Sequence, residues 1–208
     1  MLKIYPMPVG SFQTNCYILS SGDGAIIVDP GDDASKIITY LATKELKPAA
    51  IFVTHGHFDH IGALKEVQAK YEIPVYTHKD EAEFFTDSKY NFSWKSGRTP
   101  IEFGDLSVFN LIEEDGIIEI IDQKIKVLHV PGHSPGSLAF YFEDSDIVIT
   151  GDALFKGSIG RTDLGGNHEQ LIKNIETKLF TLPDSTVAYP GHGQATTIGD
   201  EKRMNPFF

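Results

Sequence analysis

The chain has 208 residues, 41% of them hydrophobic and 23% charged, which is enough apolar area for one packed domain over residues 1–208. A formal charge of −11 argues against nucleic acid or anionic lipid as a default partner, and no apolar run approaches the ~20 residues of a membrane span. The single cysteine, Cys16, can form no internal disulfide, and Pro6 and Pro8 interrupt any signal-peptide-like run, so a reducing, cytoplasmic setting is the expectation.

In chain order, Ala25-Ile26-Ile27-Val28 and Ala50-Ile51-Phe52-Val53 are short, β-branched-rich runs that predict buried strands. Between them Ile37, Ile38, Leu41 and Leu46 recur at near-helical spacing, after Asp32 and Asp33 and before Pro48, which predicts a helix. A second helix is expected over residues 61–70, with Leu64 and Val67 on one face. Residues 80–105 mix charge, aromatics and Gly97-Arg98-Thr99-Pro100 and read as a helix followed by a long surface excursion, of a length that carries function or moves. Residues 125–128, 138–142 and 147–149 are strand-like, 169–180 helical, and 187–189 one more short strand. There is no low-complexity linker, heptad or repeat, and strand and helix alternate throughout.

The strongest chemical signal is His55-Gly56-His57-Phe58-Asp59-His60, placed directly after a predicted strand and before a predicted helix. A lone histidine there would be an ordinary loop residue, but three imidazoles and a carboxylate within one turn point to a metal site. The set suits zinc, and equally iron or manganese. One loop cannot surround two ions, so further donors belong at other strand ends. Val130-Pro131-Gly132-His133-Ser134-Pro135-Gly136, Gly151-Asp152 and Pro190-Gly191-His192-Gly193 each follow a predicted strand, with glycine beside the donor. His78, His129 and His168 fall outside the pattern, His129 being the best candidate to support a ligand loop. Asp29, in Val28-Asp29-Pro30-Gly31, either fixes a ligand imidazole or serves a plain turn.

The HxHxDH run followed by a lone His, Asp and His resembles the metallo-β-lactamase superfamily, over roughly residues 15–206. The resemblance implies a four-layer αββα sandwich of mixed α/β class with the donor loops at one edge. It also implies two divalent ions, zinc first, with His55, His57 and His133 on one, Asp59, His60 and His192 on the other, and Asp152 bridging. Such a pair shares a water that becomes a bridging hydroxide near neutral pH, with Asp59 orienting it, and the implied reaction is hydrolysis.

Branch-specific positions narrow the choice. Metal-dependent β-lactamases use Cys where this chain has Asp152, flavodiiron proteins replace the second His of the first motif, and lactonases carry Tyr at the position of Phe155. The RNA-gripping arm of the tRNA-processing nucleases has no counterpart here. Residues 151–163, Gly151-Asp152-Ala153-Leu154-Phe155-Lys156-Gly157-Ser158-Ile159-Gly160-Arg161-Thr162-Asp163, are similar to the glyoxalase II and persulfide dioxygenase branches. Arg161 stands at the position of a glutathione-contacting residue, or forms a structural ion pair.

Two departures concern glutathione itself: Gln194 replaces a substrate-binding Tyr, and the C-terminal helical domain of full-length glyoxalase II is expected to be missing. The expectation is a short glyoxalase II-like hydrolase of an acyl thioester such as hydroxyacyl-glutathione, with a small-molecule (thio)ester as its partner. A thiol leaves readily as thiolate, its pKa being about 8–9. The alternatives are a mononuclear iron persulfide dioxygenase, a hydrolase of another ester, lactone or phosphodiester, and a non-catalytic protein that keeps the fold for binding.

Overall fold

The computed structural model describes residues 2–97 and 99–208; Met1 and Arg98, the latter inside the predicted surface excursion, lie outside it. The first sheet runs in the order β1 (Lys3–Val9), β2 (Thr14–Ser21), β3 (Gly24–Val28), β4 (Lys47–Phe52), β5 (Val75–His78) and β6 (Phe109–Ile112). From β3 to β6 the strands are parallel. Parallel neighbours need long crossovers, which α1 (Ala34–Thr43), the pair α2 (Phe58–Ile61) and α3 (Leu64–Tyr71), and α4 (Ala82–Thr86) supply.

The second sheet contains β7 (Gly116–Ile120), β8 (Gln123–His129), β9 (Leu138–Phe142), β10 (Ile147–Gly151), β13 (Val187–Pro190) and β14 (Thr196–Thr197), in the order β14-β13-β10-β9-β8-β7. A small hairpin of β11 (Leu154–Phe155) and β12 (Ser158–Ile159) follows β10, while α5 (His168–Asn174) and α6 (Ile198–Met204) complete the chain.

Two-residue alternation along the strands creates the layers. Leu19, Ile26 and Phe52 meet Val127, Phe140 and Ile149 in the seam between the sheets. Ile18, Ile27 and Ile51 face the other way, onto Ile37 and Leu41 of α1 and Leu64 and Val67 of α3. On the far side Ala139, Tyr141 and Val148 pack on Leu171 and Ile198. This is the expected αββα sandwich. Among the described residues, no helix is long and apolar enough to cross a membrane.

Several local expectations shift. The helix expected over 61–70 is split into α2 and α3, because Ala63 N–H donates to Pro30 O at 2.9 Å and pins the intervening turn to the segment after β3. Leu46 lies outside α1, and Pro48 sits inside β4, beside a register shift between Ala25 and Ile26. Pro6 and Pro8 belong to β1, which is tolerated because β1 is an edge strand, pairing among the described residues only with β2. The helix expected over 169–180 is α5 continued by one π-type turn over Ile175–Leu179. Among the described residues of 80–105 only Ala82–Thr86 is α-helical, and the segment after it is anchored by the buried Asn91 side chain, which donates to the carbonyls of Phe84 and Ile101.

Candidate metal centre

All four predicted donor loops emerge at one edge of the sandwich. The first follows β4, and Thr54 O accepts from Leu138 N at 2.8 Å, which ties the end of β4 to the start of β9 across the two sheets. The loops after β10 and β13 leave adjacent parallel strands, so Asp152 and His192 arrive side by side. At Gly191 any side chain would collide, since a Cβ would lie 2.1 Å from Asp152 Oδ1.

The seven donors converge. His133 Nε2 lies 3.0 Å from His57 Nδ1 and 3.2 Å from His55 Nε2. His192 Nε2 is 3.2 Å and His60 Nε2 3.7 Å from Asp59 Oδ2. Asp152 stands between the groups, with Oδ2 at 3.7 Å from His133 Nε2 and 3.6 Å from His192 Nε2, and Oδ1 at 3.5 Å from His60 Nε2. In each group the donor atoms lie within 4.8 Å of one another.

The far ring nitrogens determine what the near ones carry. His133 Nδ1 meets Arg161 O at 2.8 Å and His192 Nδ1 meets Phe12 O at 3.2 Å, and a carbonyl can only accept. His60 Nδ1 meets Asp29 Oδ2 at 2.9 Å; the same oxygen accepts from Thr54 Oγ1, leaving that hydroxyl to accept from His55 Nδ1 at 3.1 Å. In these four rings Nδ1 therefore holds a proton, and where the ring is neutral Nε2 turns a bare lone pair inward, while His57 faces the cluster through Nδ1. Asp29 thus anchors one imidazole of each group, His60 directly and His55 through Thr54.

Facing lone pairs 3.2 Å apart repel unless a cation lies between them. His60 Nε2 and Asp152 Oδ1 are buried and have no hydrogen-bond partner among the described residues. The donor set therefore fits divalent cations. Burial, with neighbouring imidazoles, holds His55 well below the usual imidazole range and His57 at about 3, and burial also lowers His133. Burial alone would lower His60 too, but Asp152, Asp59 and Asp29 outweigh it and hold this ring well above that range. Hydrogen bonding to Asp59 and the charge of Asp152 likewise raise His192 against its burial.

These opposite shifts predict a proton count. Loading the metal-free protein at pH 7 should release protons from His60, which is held well above the usual imidazole range, and from the protonated fraction of His192, with none from the imidazoles of the first group and with any proton lost by metal-bound water added to these, because only deprotonated imidazole can bind a metal. Titration calorimetry in buffers of different protonation enthalpy reads this number. It should fall as pH rises through the pKa values of these two rings, and zero release at pH 7 would contradict the assignment.

The sequence profile of the Metallo-beta-lactamase superfamily matches residues 9–192. The chain belongs to this superfamily. It is 48% identical over 207 residues to the "Probable metallo-hydrolase YqgX" of Bacillus subtilis, an alignment covering 99% of this chain and 97% of that one. It is 35% identical over 209 residues to the "Hydroxyacylglutathione hydrolase GloC" of Haemophilus influenzae, covering 99% and 98%. Among solved structures, BLEG-1, a B3 metallo-beta-lactamase, superposes with a TM-score of 0.93 at 41% identity, covering 100% of this chain and 99% of that one. TTHA1623 in a di-iron-bound form superposes with a TM-score of 0.86 at 35% identity, covering 98% and 100%.

Around this superfamily's metal edge lies a cleft of about 710 Å³ whose walls include Phe12, Phe58, Phe92 and Phe155, with Lys95 and Arg161 also lining it. Arg161 is bonded through two nitrogens to Asp163, at 2.8 and 2.7 Å, and both side chains are exposed. The structural ion pair is therefore present, at a position that also faces the cleft. Gln194 accepts from Lys156 at 3.3 Å.

Of the histidines outside the pattern, His168 packs against Phe207, and His129 Nε2 donates to Pro135 O at 2.9 Å, supporting the loop of His133. His78 and His129 are stacked 3.8 Å apart at an interplanar angle of 13°. With Asp80 they form a further cluster of possible donors, but nearly parallel rings cannot aim in-plane lone pairs at one ion.

Sequence reasoning missed three supports. Thr14 donates to Asp59 Oδ2 at 3.0 Å, Asn15 donates to the carbonyls of Pro190 and Gly193, and the buried Glu81 bonds to two donor loops. The polar pair Thr14-Asn15 opening the apolar run Cys16-Tyr17-Ile18-Leu19 was a usable signal; Glu81, inside the charged run 79–83, offered none.

Proposed function

We propose that this chain is a metal-dependent hydrolase of acyl thioesters, hydroxyacyl-glutathione being the first candidate substrate. In this reading His55, His57 and His133 hold one divalent cation, Asp59, His60 and His192 hold a second, and Asp152 is shared. The observation that carries it is the convergence of lone pairs and orphaned polar atoms at the cleft floor. Imidazole and carboxylate donors suit zinc, iron and manganese. The di-iron form of TTHA1623 supports the two-cation reading, and similarity to GloC supports the substrate class.

The cations, when bound, would supply Lewis acidity that makes water nucleophilic near neutral pH and polarises the carbonyl it attacks. Asp59, held by the hydrogen bond from Thr14, is placed to accept a hydrogen bond from that water and orient it. The C–S bond breaks, oxygen from water ends on the carboxylate product, and the thiol leaves as thiolate without a dedicated general acid. Phe12, Phe58 and Phe155 shield the reacting centre from bulk water. Lys95 and Arg161 give an otherwise acidic protein a local attraction for an anionic thiol carrier.

A panel of thioesters, esters, lactones, phosphodiesters and β-lactams with metal-replete protein tests this reading. Hydroxyacyl thioesters should give the highest kcat/KM. Arg161→Ala should raise KM roughly two- to fivefold for an anionic thioester with kcat nearly unchanged, since an exposed, already paired guanidinium contributes little. Similarity to BLEG-1 favours β-lactams as the second reading, and preferential β-lactam turnover would install it. One iron per chain with oxygen uptake on a persulfide would replace hydrolysis altogether.

A further inference from the structure

Glu81 is a fully buried carboxylate that belongs to none of the four donor loops. It sits in the 3-10 turn Lys79–Glu81 between β5 and α4. Its Oε2 accepts from Gly56 N at 2.7 Å, and its Oε1 accepts from Ser134 Oγ at 2.6 Å and from Gly136 N at 2.7 Å. Gly56 lies between His55 and His57, and Ser134 directly follows His133. The two oxygens of one carboxylate therefore join the two loops that deliver the first group of imidazoles, with the bonds from Gly56 and Ser134 one residue, and that from Gly136 three residues, away from a ligand position.

The surroundings are built for this reach. A Cβ at Gly56 would lie 2.3 Å from Phe84 Cβ, and one at Gly136 would lie 2.7 Å from Glu81 Cγ, so neither position bonded to the carboxylate has room for a side chain. The turn carrying Glu81 is itself capped by His78 Nδ1, which accepts from Asp80 N at 3.2 Å. His78 also stacks on His129, whose Nε2 donates to Pro135 O in the same loop as His133. The end of β5 thus grips the His133 loop twice, once through Glu81 and once through the stacked rings.

We propose that Glu81 is a positioning residue that sets the spacing of His55 and His57 against His133 before a cation arrives. This rests on the reading of those three residues as cation ligands. All three of its partners are neutral donors, and only a carboxylate offers acceptors on both arms. Glutamine must turn its NH2 toward Gly56 N–H or toward the Ser134 and Gly136 donors, so one loop is released whichever way the amide sits. A released loop lets His133 drift from His57 and His55, and outer supports of this kind alter metal affinity by about 10- to 100-fold.

The test uses cobalt(II) alone as the probe, titrated into the metal-free full chain of wild type, Glu81→Gln, Ser134→Ala and Glu83→Gln. Cobalt affinity should fall about 10- to 100-fold in Glu81→Gln, with a changed visible ligand-field spectrum, in protein whose far-ultraviolet circular dichroism matches wild type. Ser134→Ala, which removes one of the three donors, should give a smaller loss in the same direction and keeps the test informative if Glu81→Gln does not fold. Glu83→Gln, the same charge change on an exposed neighbour, should match wild type. A purely structural role would lower thermal stability while leaving the affinity and spectrum of folded protein unchanged, and that result would overturn the proposal. If wild type binds no cobalt, the metal reading fails as well; if wild type binds and Glu81→Gln binds equally, only the role of Glu81 falls.

Discussion

Asparagine in place of Asp59 should lower kcat for a thioester by about two to three orders of magnitude, while KM stays within roughly threefold and the cleft stays intact. The carboxylate accepts from Thr14 Oγ1 at 3.0 Å on Oδ2, the oxygen that also lies 3.2 Å from His192 Nε2, so Thr14 orients it toward the second group of donors. Burial opposes its charge, but His60 and the hydrogen bonds from His192 and Thr14 hold its pKa well below the usual carboxylate range. It therefore stays an acceptor at every pH where the protein works. An amide is nearly isosteric, yet it halves the acceptor capacity and carries no charge toward a cation or an attacking water. Metal content measured on the purified variant separates the two ways of losing rate: full occupancy with low kcat assigns the loss to orientation of the nucleophile, whereas activity restored by excess metal assigns it to affinity. An unchanged kcat at full occupancy would remove Asp59 from the chemistry.

The donors and their supports differ in how much of them a sequence can disclose, and the difference is one of range. His55, His57, Asp59 and His60 crowd six positions, and His133, Asp152 and His192 each follow a strand, so local chemistry marks them. Asp29 was visible only as an acid after a strand with two equal readings; bonds to Thr54, 25 residues on, and His60, 31 residues on, decide between them. Glu81 joins residues 25 positions before it to residues 53 and 55 after it, and nothing in its charged run distinguishes it from Asp80 or Glu83. The sheets follow the same rule. β3, β9 and the second half of β4 bury nearly every side chain and stand out as apolar runs, whereas β1 carries two prolines and β7 is largely exposed, so only their strand partners reveal them. The break between α2 and α3 was equally invisible, because the contact of Ala63 with Pro30 that makes it is tertiary.

Asp29→Asn should cost more than the loss of any exposed charge, because it removes the anchor shared by both imidazole groups. Three donors meet its two oxygens: Thr54 N at 2.7 Å on Oδ1, and Thr54 Oγ1 at 2.7 Å and His60 Nδ1 at 2.9 Å on Oδ2. Asparagine can satisfy one side only, so either His60 loses its partner or the end of β4 comes free, and with it the hydroxyl that orients His55. Metal affinity should fall about 10- to 100-fold. The metal-free variant should also lose roughly 3–5 kcal/mol of stability at mildly acidic pH, where a buried, charged His60 is left short of one of its counter-charges. The sign of the pH dependence follows from the raised pKa of His60: its stabilisation is complete below the unfolded value of about 6.5 and is lost as pH rises through the folded value. The gap between wild type and Asp29→Asn, measured by denaturant unfolding of metal-free protein, should therefore narrow with increasing pH. A gap that stays constant with pH would mean that the part of Asp29 in the metal-free fold is hydrogen bonding to Thr54 alone, and one that widens toward alkaline pH would mean that Asp29 stabilises neutral His60 more than charged His60.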